Sequence, residues 1–196
     1  MAPTPPPDRR PIIISGPSGV GKGTLYQKLF DAHPDTFALS VSHTTRKRRP
    51  HEVEGKDYFF ISPAEFPALV SQGAFVEYAL FNGHYYGTSK KAIETQRAKG
   101  LVVVLDIEMQ GVQQMKESGS IDARYVFIKP PSFHALEARL RNRATEEEVD
   151  IRERLTQARV EVEYAETQND VYDLIIINDD LEKAYKELHD FVYSPI

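Results

Sequence analysis

A chain of 196 residues with 41% hydrophobic and 27% charged residues has apolar material for one well-packed domain and too much of it for wholesale disorder. Its formal net charge of −5 speaks against a general nucleic-acid binder, whose surface would be broadly basic, but leaves room for a local cationic pocket. With no cysteine, disulfides, thiolate metal sites and cysteine nucleophiles are excluded, and a reducing compartment is compatible.

Residues 1–10 are proline-rich and lack an apolar run, so they read as a flexible or extended arm rather than a signal peptide. Ile12-Ile13-Ile14 then has the continuous β-branched pattern of a strand buried on both faces of a parallel sheet. Gly16-Pro17-Ser18-Gly19-Val20-Gly21-Lys22-Gly23 follows it directly, and Leu25 and Leu29, four apart, open a helix. Glycines let successive backbone N–H groups turn toward one centre that a Cβ would obstruct. The helix N-terminus adds partial positive charge, and the lysine reaches the β and γ phosphates of a nucleotide. The strand–loop–helix order makes this a specific phosphate-binding signal. Gly23 stands where a Ser or Thr commonly ligates Mg²⁺, with Thr24 one place later, so an ion held by phosphates and water fits better.

Residues 41–88 carry short strands and turns instead of the strand–helix alternation, and predict an inserted α+β subdomain. Ser62-Pro63-Ala64-Glu65 has a capping-box pattern, and Phe75 to Ala79 predicts one arm of a hairpin turning at Asn82-Gly83. The densest basic cluster, His43-Thr44-Thr45-Arg46-Lys47-Arg48-Arg49, reads as readily as a solvated face as it does as a clamp for a phosphate dianion. Tyr58, Tyr85 and Tyr86 offer hydroxyls to such a clamp.

Further along, Leu101-Val102-Val103-Val104-Leu105, Tyr125-Val126-Phe127-Ile128 and Leu174-Ile175-Ile176-Ile177 are buried strands, the last feeding a helix with Leu181, Ala184, Leu188 and Phe191 at helical spacing. Strands alternating with helices predict a doubly wound α/β core. Asp106 ends its strand at the edge where open α/β sheets bind ligands, suited either to orient Mg²⁺-bound water or to cap the next segment. Residues 132–166 read as helical and highly charged, with Leu136 and Leu140 the clearest apolar pair, and suit a mobile flap more than a core element. Arg139 and Arg143, four apart, share a helix face; surface pairing with Glu146, Glu147 and Glu148 and a clamp on a transferring phosphoryl group are both open to them. Asn178, Asp179 or Asp180 caps the terminal helix.

The P-loop, Ser42-His43-Thr44-Thr45-Arg46, Glu52-Val53-Glu54-Gly55-Lys56-Asp57-Tyr58, Phe75-Val76-Glu77-Tyr78-Ala79, Tyr85-Tyr86-Gly87-Thr88, Leu105-Asp106-Ile107-Glu108-Met109-Gln110-Gly111 and Asn178-Asp179-Asp180 together resemble guanylate kinases, in order across residues 12–192. The resemblance implies a P-loop core (11–40, 89–131 and 167–196), a GMP-binding subdomain (41–88) and a helical lid (132–166). The activity it implies is ATP-dependent, Mg²⁺-assisted phosphorylation of GMP, and of dGMP, to the diphosphate. Gly16, Pro17, Ser18, Gly19, Val20, Gly21, Lys22, Gly23 and Thr24 would then hold the ATP phosphates, and Asn178 the adenine. Ser42 and Glu77 would read guanine, while Arg46, Arg49, Tyr58 and Tyr86 hold the GMP phosphate, with Gly87, Thr88, Asp106 and Glu108 in the same site. Lys22, Arg46, Arg139, Arg143 and Arg154 would be catalytic, and Asp106 would meet Mg²⁺ through water.

The chemistry agrees with that assignment. Guanine presents adjacent N1–H and N2–H donors that one carboxylate accepts together, whereas adenine would leave the carboxylate unpaired. The acceptor is already an oxyanion, so no general base is nominated. The chain departs from the family where Arg46-Lys47-Arg48-Arg49-Pro50-His51-Glu52 replaces Arg-x-Pro-Arg-x-Gly-Glu, where Glu108 replaces a frequent aspartate, and at His43, an ordinary loop histidine in place of a small residue. The expected partners are ATP and GMP, without nucleic acid or membrane, for a cytoplasmic monomer. The rival readings are a non-catalytic guanylate-kinase-like interaction module, a kinase for another small phosphorylated acceptor, and a generic P-loop ATPase.

Overall fold

The computed structural model describes residues 5–81, 83–142, 148–168 and 170–195. The isoleucine run is fully buried because β1 (Ile12–Ser15) is the middle strand of a five-stranded parallel sheet. The other strands are β2 (Phe37–Leu39), β7 (Val102–Asp106), β8 (Arg124–Lys129) and β9 (Leu174–Ile177), in the order β2-β7-β1-β8-β9. Ile12 and Ile14 share one face with Val104, Ile128 and Ile176. That face packs against α1 (Lys22–Ala32), α5 (Phe133–Asn142), α7 (Leu181–Tyr193) and the start of α6 (Glu148–Thr167). Ile13, Val103 and Leu105 point to the opposite face, under α3 (Lys90–Arg97) and α4 (Met109–Ser118). Helices on both faces of a parallel sheet make the core doubly wound α/β. Each fully buried aliphatic side chain there is worth about 1.5–3 kcal/mol of transfer free energy.

A second sheet has the order β4-β3-β6-β5, formed by β3 (His43–Thr44), β4 (Phe59–Phe60), β5 (Phe75–Phe81) and β6 (His84–Ser89). β5 and β6 form the expected hairpin, closing on the pair Phe81↔His84 with Gly83 at φ 75°; Asn82 lies outside the described residues. The predicted capping box forms in both directions at the start of α2 (Glu65–Ser71): Glu65 N–H donates to Ser62 Oγ at 3.3 Å and Ser62 N–H to Glu65 Oε2 at 2.8 Å. Phe66 on that helix stacks on Phe75 and Tyr85 and is 1% exposed.

Three expectations change. The proline-rich arm is not free from Pro6 onward: Pro6 is buried and Asp8 is 4% exposed. Arg124, buried at the base of β8, donates to the Asp8 carbonyl at 2.9 Å and to the Val192 carbonyl at 3.0 Å, while Arg10 pairs with Asp8 and Asp122. A buried guanidinium needs acceptors, and the arm supplies them together with the end of α7. Likewise α5 is a core element rather than a flap, because Leu136 and Leu140 are 0% and 1% exposed. They close on the phosphate loop so tightly that a Cβ on Gly19 would stand 2.7 Å from Leu140 Cδ2. His43 is in a strand, not a loop, with its ring between Phe59 and Phe75 and its pKa lowered by burial.

Candidate active site

The loop between β1 and α1 takes a shape that only glycine permits at its ends. Gly16 has φ 139°, and a Cβ there would lie 2.3 Å from the Ile128 carbonyl oxygen. Gly21 has φ 102°, with Asn178 Nδ2 only 2.5 Å from where its Cβ would be. Lys22 is the first residue of α1; its Nζ donates to the Gly16 carbonyl at 2.6 Å and stands 3.6 Å from Asp106 Oδ1. Asp106 ends β7, directly beside β1, with its side chain 36% exposed. Withdrawal from water raises its pKa, and Lys22 opposes the rise.

Two helices on the same face of the sheet as α1 bring two arginines to the same loop. Arg139 on α5 donates to the Asn178 carbonyl at 2.8 Å and to the Val20 carbonyl at 3.3 Å. Arg154 on α6 donates to Ser18 Oγ at 2.5 Å. Asn178 is buried and donates from Nδ2 to the Val20 carbonyl at 2.8 Å, so the cap of α7 falls to Asp180, which accepts from Lys183 N–H. Gly23 and the exposed Thr24 open α1. Arg143, with residues 144–147, lies outside the described residues. Arg141 and Arg152 pair with Glu148 on the helix surface, Arg141 with Glu137 as well.

Beside Asp106 a cleft of about 260 Å³ runs to the second sheet, lined among others by Tyr26, Ser42, Tyr58 and Thr88. Thr88 links the two expected base readers. Its Oγ1 lies 3.3 Å from Ser42 Oγ, and its N–H donates to Glu77 Oε1 at 2.9 Å. A β-bulge sets this up: between the pairs Phe75↔Ser89 and Glu77↔Thr88, Val76 is extra. Glu77 is 9% exposed, and burial pushes its carboxyl above the usual carboxylate range. The Thr88 hydrogen bond pulls part of the way back, while the charge of Glu108 adds to the rise. Glu108 itself is exposed at the N-cap position of α4, where its side chain makes no cap.

The basic cluster is divided. Arg46 is half-buried over the Tyr58 ring at 5.4 Å and is held by both oxygens of Glu52, at 2.6 and 3.0 Å. Arg49 offers its backbone N–H to Glu52 at 2.8 Å and leaves its side chain exposed. Tyr86 stands beside Tyr58, ring centroids 5.9 Å apart, and its hydroxyl bears on Arg46. Burial raises the pKa of the Tyr58 hydroxyl, so it is a neutral donor near pH 7. Gly87 passes so close to Phe66 and to the Glu77 carbonyl that a Cβ would come to 3.1 Å of each.

Two carboxylates here escaped the sequence reading. Glu52 orients Arg46 and is held down to a pKa of about 2, chiefly by that arginine. Glu161, on α6 seven residues beyond Arg154, is 8% exposed and accepts from Gln157 at 3.1 Å; burial raises its pKa against the pull of Lys22. Its spacing from Arg154 was the available signal, hidden by the many other charges of that helix. Among the described residues no group of three or more His, Asp or Glu is placed to hold a metal ion, and no helix is long and apolar enough to cross a membrane.

A glycine loop opening a helix, an acid at the end of the adjacent parallel strand and arginines from two further helices define a P-loop α/β protein, here with a cleft reaching a small mixed sheet. A family model for guanylate kinase matches residues 8–194, and the chain belongs to the guanylate kinase family. It is 50% identical over 179 residues to guanylate kinase from Schizosaccharomyces pombe, covering 91% of this chain and 88% of that one. Against guanylate kinase from Homo sapiens the identity is 42% over 187 residues, covering 95% and 94%. A crystal structure of guanylate kinase from Anaplasma phagocytophilum superposes with a TM-score of 0.67 at 30% identity, covering 96% of this chain and 87% of the other. The SH3-kinase fragment of tight junction protein 3 shares the fold alone, with a TM-score of 0.52 at 16% identity, over 94% of this chain and 56% of that one.

Proposed function

We propose that this protein transfers the γ-phosphoryl group of ATP to the phosphate of GMP, and of dGMP, giving ADP and the nucleoside diphosphate. The observation that carries the reading is Glu77: a buried carboxylate, anchored by Thr88 and joined through it to Ser42 on the cleft wall. An unpaired buried charge is costly, and a ligand with two adjacent N–H donors, as guanine has, offsets that cost.

In the reaction, the bond from the γ-phosphorus to the leaving ADP oxygen breaks as one forms to an oxygen of the GMP phosphate. The acceptor oxygen carries no proton that must be removed, so the chain's contribution is positioning and charge neutralisation. The loop N–H groups and Lys22 hold the ATP phosphates; Lys22 exchanges its contact with the Gly16 carbonyl for them. Arg46, pre-set by Glu52, and Arg49 with its free reach grip the acceptor phosphate together with Tyr58 and Tyr86. Arg139 and Arg154, already at the loop, neutralise charge on the group in transit, and Arg143 belongs to the same set.

The residues present suit Mg²⁺ carried in with ATP. One half-exposed carboxylate, Asp106, beside a loop without a hydroxyl at position 23 matches an ion that keeps most of its water. When bound, Mg²⁺ would supply charge stabilisation to the transferring phosphoryl group, and Asp106 would hold it through water. We assign residues 11–40, 89–131 and 167–196 to the core, 41–88 to the acceptor subdomain and 132–166 to the part that covers the phosphates, anchored in the core by Leu136 and Leu140 of α5. An interaction module without catalysis is disfavoured by the retention of Lys22 beside Asp106, of Arg139 at the glycine loop and of Arg46 over Tyr58, which lines the cleft. The test is ADP release with ATP and Mg²⁺ in the presence of GMP, dGMP, AMP, UMP or CMP. Turnover with the guanine nucleotides alone is expected. AMP turnover equal to that with GMP would remove the guanine assignment, and no turnover at all would favour the module.

A further inference from the structure

Strand β5, which carries Glu77, is at the edge of its sheet, so its outer N–H and C=O groups have no strand to pair with. At Tyr78, the residue after Glu77, both are satisfied by one side chain. Tyr78 N–H donates to Gln114 Oε1 at 3.1 Å, and Gln114 Nε2 donates to the Tyr78 carbonyl at 2.8 Å. The glutamine amide thus does for one residue what a neighbouring peptide would do in a ladder. Gln114 belongs to α4, a helix that packs on the parallel core sheet as well as on β5.

The contact is not solitary. Gly111, three residues earlier on the same helix, lies under the Glu77 carboxylate: a Cβ there would stand 2.9 Å from Glu77 Oε2 and 2.6 Å from Ile107 Cγ2. Ser120, just past the helix, donates to the Val76 carbonyl at 3.4 Å. Val76 itself packs with Val112 and Met115 of α4. Residues 76, 77 and 78 are therefore each referenced to α4, and α4 begins directly after Asp106 and Glu108.

We infer that Gln114 is a positioning residue for acceptor recognition: its two hydrogen bonds to Tyr78 fix the edge strand against α4 and set the depth at which Glu77 meets the guanine edge. Through α4 the base reader is held in register with Asp106 on the phosphate side, so a correctly seated base and a correctly placed acceptor phosphate come as one condition. A carboxylate displaced by a fraction of an ångström loses paired hydrogen bonds to N1–H and N2–H more than it loses a single one. The guanine reading of Glu77 underlies this inference.

The experiment compares the full-length wild type with Gln114→Met, which keeps length and shape without the amide, and Gln114→Glu, which keeps the acceptor for Tyr78 N–H and loses the donor. Steady-state constants are measured for GMP, for IMP (which lacks the N2 amino group) and for ATP, together with Tm and amide hydrogen exchange at Tyr78. For Gln114→Met the expected result is a KM for GMP raised about tenfold, as for loss of two exposed hydrogen bonds, with a smaller rise for IMP. KM for ATP and Tm stay near wild type, Tyr78 N–H exchanges faster, and Gln114→Glu falls between. A wild type active on GMP with Gln114→Met equal to it in KM and in GMP-over-IMP preference overturns the inference, whether or not Tyr78 exchanges faster. So does a KM for ATP that rises in parallel, or a loss of Tm that accounts for the change. A wild type inactive on GMP instead overturns the functional reading, which separates the two failures.

Discussion

Replacing Glu77 by glutamine changes one oxygen for an NH₂ group and almost no volume, so its effect reports on charge and hydrogen-bond direction. Thr88 N–H points at Oε1 from 2.9 Å inside the protein, and leaving it unpaired would cost about 1–3 kcal/mol. The new amide therefore keeps its carbonyl oxygen on Thr88 and turns its NH₂ toward the side where Oε2 lies over Gly111. Guanine would then present donors to a donor. Hydrogen bonds to a charged group contribute about 1.5–3 kcal/mol each, so losing the pair should cost at least about 3 kcal/mol, on the order of a hundredfold in kcat/KM for GMP. Stability should move the other way. Burial raises the Glu77 pKa above its unfolded value, which penalises the folded state at pH values above that raised pKa and not at pH below the unfolded one. Glutamine removes the penalty, so Tm at neutral pH should hold or rise. In the wild type, KM for GMP should climb as pH falls through the raised Glu77 pKa; the variant should lack that limb. Coupled ADP-release kinetics with thermal melts over a pH series tests all three. Wild-type kcat/KM in the variant, or a loss matched by a falling Tm, would refute the reasoning.

Lys22→Ala should lower kcat by at least about a hundredfold with an unchanged melting curve, since the lysine's contacts are a carbonyl of its own loop and a part-exposed acid. Glu52→Gln should release Arg46 from its two-oxygen grip and raise KM for GMP about tenfold, leaving KM for ATP alone. In the wild type the depressed Glu52 pKa means that this pair's contribution to stability is complete above the ordinary carboxylate range and is lost as pH falls toward about 2, which acid titration of Tm will show. Arg124→Met should strand the carbonyls of Asp8 and Val192 and destabilise by about 2–4 kcal/mol, read by chemical denaturation, with kcat at 25 °C preserved because Arg124 starts β8 at the end of the sheet away from the loop.

Local patterns carried most of what could be read in advance. The Ile12–Ile14 run, the glycine spacing and the Ser62/Glu65 box each encode their geometry within a few residues, and each has the structure that its chemistry calls for. Local patterns do not encode a partner that is distant in sequence. The arm's composition says nothing of Arg124, 116 residues from Asp8. Leu136 and Leu140 announce an apolar stripe but not that Gly19 lets it close on the phosphate loop. Glu77 in a strand reads as one of an alternating series; its burial depends on the bulge at Val76, on Thr88 across the hairpin and on the bare backbone of Gly111. Glu52 was visible as a charge, yet its grip on Arg46 is a property of how the loop folds back.

The guanidinium of Arg124 has a consequence for how the domain can be rewired. It bonds the carbonyls of residues 8 and 192 at once, so chain entering the domain and chain leaving it run past the same spot, on the side of the sheet opposite the nucleotide loop. A circular permutant that joins these ends with a short linker would stretch no strand and cross no cleft. For the same reason the domain could be inserted whole into a surface loop of a host protein, with its catalytic face turned outward.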